Sequence, residues 1–236
     1  MKSTFYIAFI GVLTFLNPSF GQKYRAPNYK KFDSRLLHFG FTLGMNSSNI
    51  LAVPTTNPNL TPGLMKTEVN GNPGFNLGFI GSLKLGHPTL TLRFVPSLSF
   101  QAKDVLYFYF DEPNDPVKST IESTILDFPL LLKYRTLRYN NFAAYFIGGM
   151  QYSLDLQSKQ RIPQNPAAPF LKLNRHDFQA QIGIGVDFFL PYFKFGLEIK
   201  MSHGIMNSLI RDNTVLSNPF DRFYNRVIWF SMTFEG

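Results

Sequence analysis

Apolar and polar residues alternate with period two through eight separate stretches of this chain, and a repeat of two belongs to extended strands rather than helices. The sixth stretch is the cleanest: Phe178, Ala180, Ile182, Ile184, Val186 and Phe188 interleave with Asp177, Gln179, Gln181, Gly183, Gly185 and Asp187. The other seven fall near 37–44, 75–85, 89–101, 122–134, 142–153, 193–202 and 228–235. Every stretch therefore offers one apolar and one polar face. A soluble barrel would turn the apolar face inward, and a membrane barrel would turn it out to lipid. Alternation alone does not choose.

The connections do choose. Links at 45–74, 102–120, 155–175 and 203–221 are long and rich in Asn, Pro and Asp, whereas those at 86–88, 135–141 and 190–192 are short. Barrels of bacterial outer membranes show that rhythm, with short periplasmic turns and longer outer loops, and strands of about ten residues suffice to cross at a tilt. The expected fold is all-β: an eight-stranded antiparallel transmembrane β-barrel of the outer-membrane type, with both termini periplasmic. Closure is required because an unpaired N–H or C=O in hydrocarbon costs several kcal/mol.

Composition agrees. Only 16% of the 236 residues are charged, against about a quarter in a typical soluble domain. Twenty-six Phe and eleven Tyr exclude intrinsic disorder, and the absence of Cys excludes disulfide scaffolds, thiolate zinc sites and Cys nucleophiles. Residues 1–21 read as a signal peptide: Lys2, then the apolar FYIAFIGVLTFL, then Ser19, Phe20 and Gly21 as a small-residue cleavage site. Removing Lys2 takes the formal charge from +8 to +7, so the basic character belongs to the mature chain. Residues 22–34 form a basic periplasmic leader, and 35–236 the barrel. The leader's Lys23, Arg25, Lys30 and Lys31 fit either a periplasmic partner or anionic head groups, or else a solvated, mobile tail.

An eight-stranded lumen is just wide enough for side chains to fill it. The polar faces place Lys84, Arg93, Asp127, Lys133, Asp187, Lys194, Glu198 and Lys200 inside, with His38, Glu235, Tyr145 and Trp229. Charges of both signs there are expected to pair into a polar core rather than line a pore. The opposite faces place Phe178, Ile182, Ile184, Val186, Phe195, Leu197 and Phe230 against lipid. A lipid-modifying barrel enzyme would need a Ser–His pair, with His38, Ser202 and His203 as candidates and Asp187 or Glu198 as the orienting acid. No nucleophile signature surrounds any serine, so no catalytic residue is assigned. The four His are scattered, which argues against a metal site, and Gly183-Ile184-Gly185 lacks the following helix of a dinucleotide loop. No cofactor, small-molecule substrate or nucleic acid is expected.

Several segments resemble the PorT family. LLHFGFTLG (36–44) follows a basic leader, and LDFPLLLKYR (126–135), IGGMQYSLD (147–155), VDFFLPYFKFGLEIK (186–200), NSLIRD (207–212) and the closing 220–234 stretch are also similar. The likeness covers nearly all of the mature chain; FPLLLKYR recurs across small outer-membrane barrels, whereas DFFLPYFKFGLEIK together with LIRD is more specific. The resemblance implies an outer-membrane barrel of the type IX secretion system, needed for export of cargo with a C-terminal sorting signal and in some bacteria for gliding motility. It also implies outer-membrane lipids and other components of that system as partners, and no catalytic residue. A lipid-modifying enzyme and a general adhesion or binding barrel are the other readings.

Overall fold

The computed structural model describes residues 28, 30–55, 64–87, 89–110, 115–158, 171–212, 214 and 216–236. The expected signal peptide and the first part of the leader lie outside them. One short helix, α1 (Lys30–Ser34), precedes nine strand segments: β1 (Leu37–Pro54), β2 (Leu64–Lys84), β3 (Leu90–Phe94), β4 (Ser97–Tyr109), β5 (Val117–Arg135), β6 (Phe142–Asp155), β7 (His176–Phe189), β8 (Lys194–Gly204) and β9 (Phe220–Glu235). β3 and β4 are one wall position broken at Val95-Pro96, since both pair with β2 on one side and β5 on the other. Proline has no N–H to donate, so the ladder breaks where Pro96 falls. The wall therefore has eight positions. It closes where β1 pairs antiparallel with β9, Gly40 opposite Glu235, which brings the start of the wall and the end of the chain to one rim.

The register fixes the barrel's shape. Followed from strand to strand, the row leaving β7 at Phe178 passes Tyr152, Phe128, Pro96, Phe79, Phe41, Phe234 and Phe195, and returns to β7 at Phe188. That is a stagger of ten residues around eight strands. With strands about 4.8 Å apart and about 3.3 Å per residue, it tilts the strands by roughly 41°. Ten residues at that tilt descend roughly 25 Å, the height of the apolar band of such barrels. All but one member of the row are aromatic, so a ribbon of rings spirals across the band. Tyr152 lies 5.0 Å from Phe178, Phe41 4.8 Å from Phe234, and Phe195 5.3 Å from Phe234.

The exterior is the oily side. Phe178, Ile182, Ile184 and Phe230 are exposed, and Val186, Phe195 and Leu197 share that face partly covered, while Gln179, Gln181 and Asp187 are buried inside.

Two of the expected long loops are largely strand. β1 runs for 18 residues and β2 for 21, well past the 44 and 75 at which the alternation stops, and β4 and β5 likewise fill most of 102–120. Above the membrane a strand no longer needs one oily face, so its alternation fades and it reads as loop. In β2, Pro73 sits at a register shift toward β4, where a missing donor is tolerated.

Candidate functional site

The lumen is filled in four storeys. The lowest is a network of ion pairs. Arg93, buried on β3, donates to Glu198 on β8 and, at 2.5 Å, to Glu235 on β9. Lys194 lies 3.0 Å from Glu235 and 3.6 Å from Asp187, Lys133 lies 2.8 Å from Asp187, and Lys200 lies 3.3 Å from Glu198. Tyr145 ties the set together: its hydroxyl donates to Glu198 at 2.8 Å, and Lys133 Nζ stands 3.4 Å over its ring. The ring lies where Gly185 leaves room, because a Cβ there would come within 2.4 Å of it. Arg93 and Lys133 reach strands 105 and 54 positions away, while Lys200 and Glu198 share β8, and four cations meet three carboxylates with nearly every charge answered.

Above this Asp127 sits among uncharged donors, accepting from Ser99 Oγ (2.7 Å), Ser153 Oγ (2.6 Å) and Gln151 Nε2 (2.8 Å). Higher still, Asp177 accepts from Gln179 Nε2 and Asn225 Nδ2, and Lys103 Nζ donates to Asn225 Oδ1.

The top storey is apolar. Ile50, Val105, Tyr107, Leu171, Leu209, Leu216, Phe220 and Phe223 form one buried cluster inside the mouth. Strands supply part of it and loops the rest: the end of the β6–β7 connection bridges the β8–β9 connection at Leu173 and Leu209, and Tyr107 Oη donates to the Leu216 carbonyl at 3.0 Å. These loops turn into the barrel rather than away from it. Sequence reasoning missed this cap. The stretch Val105, Leu106, Tyr107, Phe108, Tyr109 and Phe110 is apolar on both faces, so no phase marks which face turns inward.

The periplasmic mouth is covered by the leader. Phe32 of α1 is only 4% exposed and stacks on His38 at 3.8 Å, with the edge of Phe189 at 5.8 Å. Lys84 stands apart from the ion network, half-buried at this rim, where its Nζ donates to the carbonyls of Phe32 (2.8 Å) and Asp33 (2.7 Å). A cation on the last carbonyls of a helix is favourable. Asp33 joins Arg135 (3.0 Å) and Arg138 (3.2 Å), and Asn28 bonds Asn141 and the Phe189 carbonyl. Burial alone would raise the pKa of Asp33, but hydrogen bonds and charge from the two guanidiniums outweigh it and hold the carboxyl below its ordinary 3.8.

The residues considered for lipid chemistry are not brought together. Ser202 is buried and accepts from Trp229 Nε1 at 2.9 Å, whereas His203 points outward against Tyr224. His38 is engaged with the Phe32 carbonyl at the far rim.

A family model described as outer membrane protein beta-barrel domain matches residues 20–209. Among solved structures, the chain is similar to the outer membrane protein OprG from Pseudomonas aeruginosa, at 16% identity and a TM-score of 0.47 over 85% of this chain and 94% of that one. It is also similar to the outer membrane protein AlkL, solved in lipid bilayers, at 10% identity and a TM-score of 0.40 over 93% of this chain and 94% of that one. No curated protein matches the sequence.

Proposed function

Because the chain belongs to the outer membrane protein β-barrel domain family, and so to the outer membrane, we propose that it serves there as a non-enzymatic component or assembly factor of the type IX protein secretion system. In this reading it is required for export of cargo bearing C-terminal sorting domains, and for gliding where the cell glides. The observation that carries the reading is the filled lumen: with an ion network below and an apolar cap above, the barrel's work falls to its surfaces, through contacts with other proteins. The segments that resemble the PorT family support it further, since they build these features. VDFFLPYFKFGLEIK spans the β7–β8 hairpin and carries Asp187, Lys194, Glu198 and Lys200; NSLIRD supplies Leu209 to the cap; LLHFGFTLG opens β1 with His38 under the leader. The partners are then outer-membrane lipids and other components of the secretion system. The separation of Ser202 from His203 favours this over a lipid-modifying enzyme.

Deletion of the gene tests it. Cargo is expected to accumulate in the periplasm with its sorting domain uncleaved, and a plasmid copy restores export. Normal export in the deletion strain would overturn the proposal.

A further inference from the structure

One strand of the wall outruns its neighbour above the membrane. β5 pairs with β4 through its whole upper part, from Val117 opposite Tyr107 to Asp127 opposite Ser97, without a register shift. On its other side β6 ends at Asp155, opposite Ile125, and Leu156 N–H donates to the Thr124 carbonyl at 2.8 Å. A strand turns the N–H and C=O of every second residue to one edge. Lys118, Thr120 and Glu122 therefore turn theirs, like Thr124, to the side that β6 no longer covers. Among the described residues no backbone group bonds to them there. Roughly 13 Å of regular sheet edge is open.

Natural sheets blunt such edges with proline, bulges or lysine. Here no proline falls between 117 and 128, the ladder is continuous, and Lys118 is held by Asp104 at 2.9 Å. By contrast, where pairing of β1 with β2 stops at Ser47 and Pro73, the strands above carry register shifts at Val53/Pro54 and Leu64/Lys66. Beside the open edge of β5 lies a cleft of about 40 Å³ lined by Ser119, Ile121, Ser123, Asp155, Ser158 and Leu171.

We infer that this edge docks an extended segment of a partner protein at the outer surface, which adds a strand antiparallel to β5 in line with β6. Its backbone bonds to Lys118, Thr120 and Glu122, and its inward side chains, small and apolar, enter the cleft over Ile121. A Lys or Arg on its outward face meets Glu122, which is exposed and has no ion partner among the described residues. Two other occupants fit worse. Two copies standing in one membrane can bring these edges together only in parallel, which sets Glu122 beside Glu122. The chain's own connection after Ser158 carries Pro163, Pro166 and Pro169, each without an N–H to give a ladder. The inference stands on the sheet edge, whichever machinery the barrel serves.

The test uses the full-length mature barrel in detergent micelles and a fluorescein-labelled heptapeptide of alternating valine and threonine with a central lysine, read by anisotropy. Wild type is expected to bind it saturably. N-methylation of the lysine and threonines, whose N–H groups face β5, should remove binding, and N-methylation of the valines should leave it. Both arms use unaltered barrel, so neither depends on how a variant folds. Thr120→Pro, which removes one outward N–H and leaves the β4 ladder alone, should weaken binding about tenfold. Thr120→Ala, which keeps that N–H, should bind like wild type. Glu122→Lys should weaken the lysine peptide about fivefold and favour its glutamate counterpart by as much. A dimeric barrel that Thr120→Pro disperses would give the edge to a second copy, and binding seen only after removal of residues 159–170 would give it to the chain's own connection. Either result, equal binding of the two methylated peptides, or indifference to Glu122→Lys would overturn the inference.

Discussion

The two halves of the lumen obey opposite rules, and β9 passes through both. Near the periplasm its inward residues are Glu235, Thr233 and Ser231 and its outward residues are Phe234, Met232 and Phe230; above the membrane Phe223 turns inward while Arg222 and Arg226 face out. Hydrocarbon outside leaves the lumen as the only place for polar groups, and water outside restores the order of a soluble protein, with apolar groups collected within. What surrounds the wall decides what fills it. The lower storey consequently holds its strands by directed ion pairs that tolerate no missing partner, and the upper storey holds its loops by non-directional burial that does.

The largest expected effect comes from the lower storey. Arg93→Met strands Glu198 and Glu235 in a buried site, and removing one partner of such a set costs about 3–5 kcal/mol. Urea unfolding of the barrel in lipid vesicles should show a loss of that size across the whole ladder. Phe223→Ala opens the cap, where truncating a buried Phe costs about 3 kcal/mol. Here the loss should stay local, seen as faster hydrogen exchange at the amides of Leu209 and Phe223, with the gel mobility of the unheated barrel unchanged. If Phe223→Ala weakens the ladder as Arg93→Met does, the halves are one cooperative unit and the contrast fails.

That same contrast explains what could be read from the sequence. Where hydrocarbon imposes one oily face, as from Phe178 to Phe188, alternation is strict and the strand, its phase and its lumen residues are all legible. Which charges pair is not, because Arg93 meets Glu198 across 105 positions of sequence and only the stagger of the wall brings them level. Above the membrane the constraint lapses. Residues 45–54 and 64–74 carry Asn, Ser, Gly and Pro among their apolar residues and read as a loop, although they are strand. The docking of Phe32 left no periodic trace either, since one inward ring on a five-residue helix is too short a stretch to show a repeat.

The outer surface sharpens the comparison with a smaller effect. Ile184 is 63% exposed on the lipid side near mid-span, and Leu51 also faces outward but on the upper part of β1. Ile184→Arg should cost about 2–4 kcal/mol in bilayers, and Leu51→Arg about 0–1 kcal/mol. Folding titrations into vesicles measure both. Equal costs would mean that the band does not end where the ribbon of rings begins.

The smallest effect concerns the mouth. Since Asp33 is held below its ordinary 3.8 in the folded barrel, its ionised form is favoured by docking of the leader. That contribution is complete above the unfolded value and disappears as pH falls through the lowered one. With the side chain 37% exposed, solvent screens the pair and the change should be modest. A spin label at Ser34→Cys should therefore report a leader of constant mobility from neutral pH down to about 4, and a freer one in stronger acid. Asp33→Asn, which has no charge to lose, should give a leader already partly freed at neutral pH, with no further acid step. An acid step that persists in Asp33→Asn would assign it to the carboxylates of the lumen, and the mouth would then be answering to the network beneath it rather than to its own pair of arginines.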